Sequence, residues 1–357
     1  MKSILVAGAY SPGNIGDGLL AELSVQMAND ALPCTIYLSA LDAKGFRQAV
    51  KDFPEKYPGL FPGNVFSSLN IFRIIKLMLN KDLVVLAIGG EYLNFIGFKA
   101  ALKSFIANGI AIFFSLCVNK PTGFLPQGII LSKKMCKYIS PFLRKAKWIL
   151  LRDSKSMEEL SSLDNIYQVS DLAIIDVHPI LRLHPASPVI GSILHEVSKS
   201  PEFISRIKQI SNTHNMKFFV QSNFGGHNKD TDFLEKKLKI NGFEGAGKLY
   251  DSETNVGVVI STRLHGAVGA IRSGIPAIHI AYSRKGKAVF SDLGIPEFCF
   301  DFENFDPVAL LKIAHELNSS TEFREVYWTR ISMTSPFRHL QKRNILKLIQ
   351  NLAGGPE

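Results

Sequence analysis

Val259-Ile-Ser-Thr-Arg-Leu-His-Gly-Ala-Val-Gly-Ala-Ile-Arg-Ser-Gly-Ile-Pro-Ala-Ile-His-Ile-Ala-Tyr282 decides how the chain reads. The apolar run Val256 to Ile260 predicts a buried parallel strand. Ser261, Thr262, Arg263, Leu264 and His265 then mark a strand-to-helix junction, and small residues from Gly266 to Arg272 predict a helix. Gly274 and Pro276 stop it, because neither residue continues a helix well. A second apolar strand, Ala277 to Ala281, delivers Tyr282, Ser283, Arg284 and Lys285 from its carboxyl end. Ligands of open α/β sheets bind beyond the carboxyl ends of strands, where both polar clusters fall. This unit is therefore the candidate site.

Outward from it, the same alternation recurs. Ile4 to Ala9 predicts a buried strand, Tyr10 to Asp17 a loop, and Leu19, Leu20, Leu23 and Met27 line one face of a helix. Gly13-Asn14-Ile15-Gly16-Asp17 is neither a dinucleotide fingerprint nor a P-loop, so it reads equally as a tight turn or as a ligand contact. The proline-rich residues 51–64 read as loop, Leu69 to Leu79 as helix and Leu83 to Ile88 as strand. Gly89 and Gly90 follow, where the backbone can approach a ligand or a neighbouring element closely. Ile110 to Val118 reads as another buried strand, and Asn119 to Ile130, with its prolines and glycines, as a turn region. Lys147 to Leu151 predicts a strand ending in Arg152, and Ser156 with Glu159 predicts a capping box that opens a helix. Arg152 suits either an anion contact or an ion pair, Asp153 being the nearest carboxylate in sequence.

Asp176 to Pro188, with three prolines, is the best linker. Beyond it come strand Val189–Leu194, helix Pro201–Asn212, strand Lys217–Gln221 and helix Asp230–Lys239. The expected domains are residues 1–176 and 189–335, joined by 177–188. A last helix, about Phe337 to Leu352, is expected to pack back on the first domain. Two alternating halves predict an α/β fold of two Rossmann-like domains facing a cleft, a glycosyltransferase-B-like architecture.

Composition narrows the class. At 357 residues two domains are the natural expectation. Cys34, Cys117, Cys136 and Cys299 lie far apart with no Cys-x-x-Cys, which argues against a zinc site or disulfide framework and suits a reducing compartment. The short apolar run behind Lys2 is no signal-peptide core, and Phe105 to Val118 is too short for a membrane span. A cytoplasmic protein is expected. Charge is uneven: no carboxylate lies between Glu91 and Asp153, yet ten Lys and Arg do, which equals the whole formal net charge of +10. That segment is either a solvated basic face or a surface for an anionic partner. No nucleic-acid motif accompanies it, so peripheral contact with an anionic inner-membrane surface is the sharper expectation.

Several motifs share one further likeness. Ser261-x-Arg263-Leu264-His265, the small-residue helix, Gly274-x-Pro276, an apolar strand and Tyr282-x-x-Lys285 resemble the signature of the polysaccharide pyruvyl transferase family. Gly13 to Asp17, Ile88-Gly89-Gly90, Leu151 to Ser156 and Ser170-Asp171-Leu172-Ala173 extend the resemblance, in order, over most of residues 4 to 300. The resemblance implies transfer of the enolpyruvyl carbons of phosphoenolpyruvate to two hydroxyls of a sugar, in a polysaccharide or its lipid-linked precursor, as a cyclic ketal. It implies no cofactor and no metal. It places Asn14 and Asp17 toward substrate with Gly89, Gly90, Leu264 and Tyr282, and donor anions on Arg152, Arg263 and Lys285. Arginine suits such anions because its planar fork binds two oxygens at once. His265 is the expected acid/base, its pKa lying nearest neutrality, though it could bind substrate without moving a proton.

His178, His184, His195, His214, His227, His279, His315 and His339 show no metal-ligand spacing, and no His-Glu-x-x-His or Gly-x-Ser-x-Gly occurs. Two other function classes remain. A nucleotide-sugar-dependent glycosyltransferase would share the fold and an Arg/His-lined site. A non-catalytic carbohydrate-binding protein would have little need for cations clustered beside a histidine.

Overall fold

The computed structural model describes residues 2–177, 188–213, 215–221, 229–250 and 255–354. Most of the expected linker, with His178 and His184, and also His214 and His227, lies outside them. The chain forms two compact units. One comprises Met1–Gly13, Asp17–Ile175 and His339–Glu357, and the other Asn14–Gly16 and Asp176–Arg338.

In the first unit the strands are β1 (Lys2–Ala9), β2 (Cys34–Ala40), β3 (Leu60–Ser67), β4 (Leu83–Ala87), β5 (Gly90–Phe95), β6 (Thr122–Leu131), β7 (Trp148–Leu151) and β8 (Ile166–Gln168). They form one parallel sheet in the order β3-β2-β1-β4-β6-β7-β8. β4 pairs with β6 at Thr122–Phe124, and β5 pairs with the same strand at Gln127–Leu131. Runs such as Ile4–Ala7 and Leu83–Ala87 are buried on both faces, as a helix-covered parallel sheet requires.

Three expectations fail here. Ile110–Cys117 is a helix, not a strand, and continues the helix Phe98–Ser104 through a π-helical turn at Phe105–Gly109. An apolar run of this length has no clear period to distinguish helix from strand, and it is the preceding helix, continued through the π-helical turn, that sets its state. The missing strand is β6, inside the stretch read as a turn region. Pro126 lacks a ladder donor, and the pairing of β6 with β7 shifts register between Phe124 and Gln127 to accommodate it. Similarly, Pro62 lies within β3, at the sheet edge, where a missing N–H is tolerated.

In the second unit β9 (Ile190–Ile193), β10 (Met216–Val220), β11 (Phe243–Gly245), β12 (Val258–Ser261), β13 (Ala277–Ala281) and β14 (Cys299–Asp301) form a parallel sheet ordered β11-β10-β9-β12-β13-β14. Counted within the unit this is the Rossmann order 3-2-1-4-5-6. Chain direction across the sheet reverses between β9 and β12, so the crevice lies beyond Leu194 on one side and Thr262 on the other.

The last helix is longer than expected, Thr321–Leu352, with Pro336 inside it. Near the proline, Thr334 Oγ1 and Arg338 Nη2 donate to the Ile331 carbonyl, and Nη2 also reaches the Val177 carbonyl. The carbonyl that Pro336 deprives of its i+4 donor is that of Ser332, one residue beyond these bonds. From His339 onward the helix belongs to the first unit, where Gln341 accepts from Ser170 N and Gln350 donates to Ala31 O.

Candidate active site

The strongest concentration of site chemistry is at the β9/β12 crevice of the second unit. β12 ends at Ser261, and Arg263 caps the helix Leu264–Arg272 in extended conformation. Ser261 Oγ fixes this turn, accepting from Arg263 N at 3.0 Å and donating to Arg263 O at 2.7 Å. Thr262 Oγ1 accepts from His195 N at 2.8 Å, tying the ends of β9 and β12 together. His195 in turn lies 5.4 Å, ring to ring, from Tyr282 at the end of β13.

Arg263 is held by a carboxylate that sequence reasoning missed. Its Nη2 sits 2.5 Å from Asp230 Oδ1, whose side chain is fully buried. Asp230 Oδ2 also accepts from Gln221 N at 3.3 Å. Arg263 Nε is buried without a hydrogen-bond partner among the described residues. Gln221 Oε1 is likewise unpartnered. A buried donor and a buried acceptor left unmade each cost roughly 1–3 kcal/mol.

His265, one residue into the helix, is half-buried, and Leu264 is buried. Asn14, Ile15 and Gly16 belong to this unit, with Ile15 N donating to Gln221 O at 3.5 Å and Asn14 Oδ1 accepting from Gly16 N. A Cβ on Gly16 would stand 2.7 Å from His265 Cγ, so only glycine allows this approach. Close contact with a neighbouring element thus explains part of the Gly-Asn-Ile-Gly-Asp stretch. Asp17 lies in the first turn of the helix Ile15–Ala31, half-buried.

Beneath the crevice lies His279 of β13, fully buried, with Nδ1 2.9 Å from the Ser261 carbonyl. Burial pushes its pKa down to about 4; the Ser261 carbonyl opposes this, while Lys285 and His265 push it further down. The ring stacks on Phe290 and remains neutral near pH 7. Tyr282 is exposed and Lys285 half-buried.

The first unit treats its expected site residues differently. Arg152, at the carboxyl end of β7, is buried and its Nη1 is ion-paired with Asp171 Oδ2, not with Asp153. Asp153 instead caps the helix Ser154–Glu159, Oδ1 accepting from Ser156 N at 2.8 Å. The expected capping box therefore does not form: a carboxylate three residues upstream takes the N–H, and Glu159 Oε2 accepts from Leu131 N. Gly89 packs against its own sheet, since a Cβ there would lie 2.9 Å from the Pro126 carbonyl. Gly90 has φ +142°, outside the range of ordinary side-chain-bearing residues. The structure thus brings Asn14, Arg263, Leu264 and His265 together in the second unit with Tyr282 and Lys285 at the next strand end, and places Asp17, Gly89, Gly90 and Arg152 in the first.

His195, Gln221 and Asp230 complete the set. The rule that singled out Arg263, a polar residue just past an apolar strand, also points to His195 and Gln221. Asp230, the first carboxylate of Asp230-Thr231-Asp232, stands at the start of the stretch read as a helix and follows residues outside the described set. Among the described residues no three His, Cys, Asp or Glu side chains gather as metal ligands do.

The fold has many solved counterparts of low identity. A UDP-N-acetylglucosamine 2-epimerase matches with TM-score 0.55 at 12% identity, covering 100% of this chain and 98% of that one. The UDP-GlcNAc 2-epimerase of Neisseria meningitidis, bound to UDP-GlcNAc, matches with TM-score 0.54 at 12% identity, covering 98% and 100%. An O-GlcNAc transferase of Thermobaculum terrenum gives 0.51 at 11% identity, covering 99% of this chain and 68% of that one. With two parallel, helix-flanked sheets and these neighbours, the fold is glycosyltransferase-B-like. No curated protein matches the chain significantly. The model of the polysaccharide pyruvyl transferase family spans residues 14–284, taking in Asn14, the Ser261–His265 junction and Tyr282 together, and the chain belongs to that family.

Proposed function

We propose that the chain transfers the enolpyruvyl group of phosphoenolpyruvate to two hydroxyls of a polysaccharide sugar unit, forming a cyclic pyruvate ketal and releasing phosphate. Family membership supports the reaction class. The observation that carries the donor assignment is the buried, unpartnered Nε of Arg263 beside His265 at the strand-order reversal of the second unit. An anion there completes the guanidinium's hydrogen bonding, while Asp230 fixes its plane.

The chemistry assigns roles. A proton goes to the methylene carbon of phosphoenolpyruvate, and positive charge develops at the carbon bearing the phosphate. One sugar hydroxyl attacks that carbon and loses its proton. Phosphate leaves as the C–O bond breaks, and the second hydroxyl adds to close the ketal. His265 serves as the acid/base, Arg263 holds donor carboxylate or phosphate, and Lys285 supplies a second cation. Asn14, Leu264 and Tyr282 shape the sugar side. Arg152, whose charge is already matched by buried Asp171, positions its strand end and does not grip the donor.

A nucleotide sugar is the competing donor, because a structural neighbour holds UDP-GlcNAc. Thermal denaturation separates the two readings. Phosphoenolpyruvate is expected to raise the melting temperature, and to release inorganic phosphate when a competent acceptor is added from a panel of lipid-linked or nitrophenyl sugars. Stabilisation by UDP-sugars with no response to phosphoenolpyruvate would replace this reading with glycosyl transfer. Sugar binding that survives loss of both Arg263 and His265, without turnover by the wild type, would leave a carbohydrate-binding protein.

A further inference from the structure

The first unit holds an apolar cavity of about 250 Å³, walled by Leu93, Phe95, Phe113, Met135, Ile139 and Phe142 among others. Two wall residues also face solvent: Phe98 is 77% exposed and Leu102 46%. One helical turn apart on Phe98–Ser104, they mark where the cavity opens. The π-helical turn Phe105–Gly109 lets this helix continue into Ile110–Cys117, whose Ile112, Phe113 and Leu116 also line the cavity. The neighbouring helix Ile71–Met78 packs on Ile110–Cys117 and leaves Phe72 89% exposed. An apolar cavity with exposed apolar side chains among its lining residues marks an interaction site rather than ordinary surface.

Cations accompany this surface. Lys99 lies exposed beside Phe98. The helix Lys133–Leu143 turns Met135, Ile139 and Phe142 toward the cavity and leaves Lys134 and Lys137 exposed. Among the described residues none of these three lysines has an ion pair, and the stretch 92–152 contains no carboxylate to provide one. An occupant must therefore combine hydrocarbon with negative charge. A second copy of the chain in a two-fold pairing would bring the same cations together, and nucleic acid has no use for the cavity.

We infer that this face of the first unit docks on an anionic phospholipid bilayer. Lys99, Lys134 and Lys137 meet headgroup phosphates, Phe98 and Leu102 enter the interface, and one lipid hydrocarbon chain fills the cavity. No helix among the described residues is long and apolar enough to cross a membrane, so the contact is peripheral. This inference is independent of the donor chemistry proposed above.

Vesicle flotation of the full chain tests it. Binding is expected to phosphatidylglycerol-rich vesicles and not to pure phosphatidylcholine, and to fade as salt rises. Lys134→Gln with Lys137→Gln should weaken it roughly thirtyfold, the equivalent of two headgroup contacts. Phe98→Ser with Leu102→Ser, at positions already exposed, should weaken it at least about tenfold. Ala101→Phe, which places a ring in the cavity, should do the same while a cooperative melting transition shows the variant folded. Equal binding to neutral and anionic vesicles, no binding to either, or variants indistinguishable from wild type would overturn the inference.

Discussion

Gly16→Ala adds one carbon and two hydrogens to the chain, yet the site geometry predicts a large functional effect. The new Cβ would lie 2.7 Å from His265 Cγ and 3.0 Å from His265 Cβ. Ordinary carbon contacts begin near about 3.5 Å, so the imidazole must retreat by roughly 1 Å. A misplacement of about 1 Å at a proton-transfer group costs on the order of a hundredfold in rate. Stability should scarcely change. Gly16 is helical and has no positive φ, so alanine gains up to about 1 kcal/mol of helix propensity against the strain of the displaced ring. Gly18→Ala, in the same helix, is the control, because its Cβ would meet nothing nearer than Pro12 Cα at 3.4 Å. The assay is phosphate release and ketal formation from phosphoenolpyruvate, with melting temperature measured alongside. Near-normal turnover in Gly16→Ala would refute the placement of His265 in the chemistry. A collapse of melting temperature would assign the contact to folding instead.

His265→Ala should lower turnover by roughly a hundredfold with the fold intact, and steady-state phosphate release measures it. Arg263→Lys keeps the charge and loses the fork, so donor affinity should drop about tenfold to a hundredfold, read from the phosphoenolpyruvate dependence of the melting temperature. Asp171→Ala should destabilise by roughly 3–5 kcal/mol in denaturant unfolding, because it strands the buried charge of Arg152. For His279 the folded pKa of about 4 lies below the ordinary 6.5, so the unfolded chain takes up the proton first as pH falls. Its contribution is complete above pH 6.5 and drains away between that value and about pH 4, on the order of 3 kcal/mol in all. Unfolding at about pH 7.5 and about pH 4.5 should show a smaller difference for His279→Gln than for wild type.

Where residue pattern and backbone requirement coincide, the fold was legible. Ala277–Ala281 is a strand over the residues its apolar run and flanking Pro276 and Tyr282 indicate. The helix Pro201–Ser211 starts at a proline behind Ser200, whose hydroxyl accepts from Phe203 N. Legibility failed where one physical signal served two structures. Ile110–Cys117 is as apolar as a central strand, its half-buried face carrying Phe113 and Phe114, and only the helix before it decides the matter. Conversely, β6 carries Gly123, Pro126 and Gly128, residues that normally break strands, because β4, β5 and β7 all pair with it and fix its path.

The same divergence separates the two arginines. Arg152 and Arg263 both follow an apolar parallel strand and precede a helix, so sequence position alone assigned both to the donor. Their surroundings differ in one respect that decides their use. Arg152 is paired with Asp171, the two side chains 3% and 1% exposed, so releasing it to a ligand would leave a charge unmatched inside the protein. Arg263 is 21% exposed and pairs with Asp230 through Nη2. It can take an anion without giving up Asp230. Burial, which no one-dimensional pattern encodes, thus separates two equivalent sequence positions, and under the proposed function only Arg263 of the two is left to bind the donor.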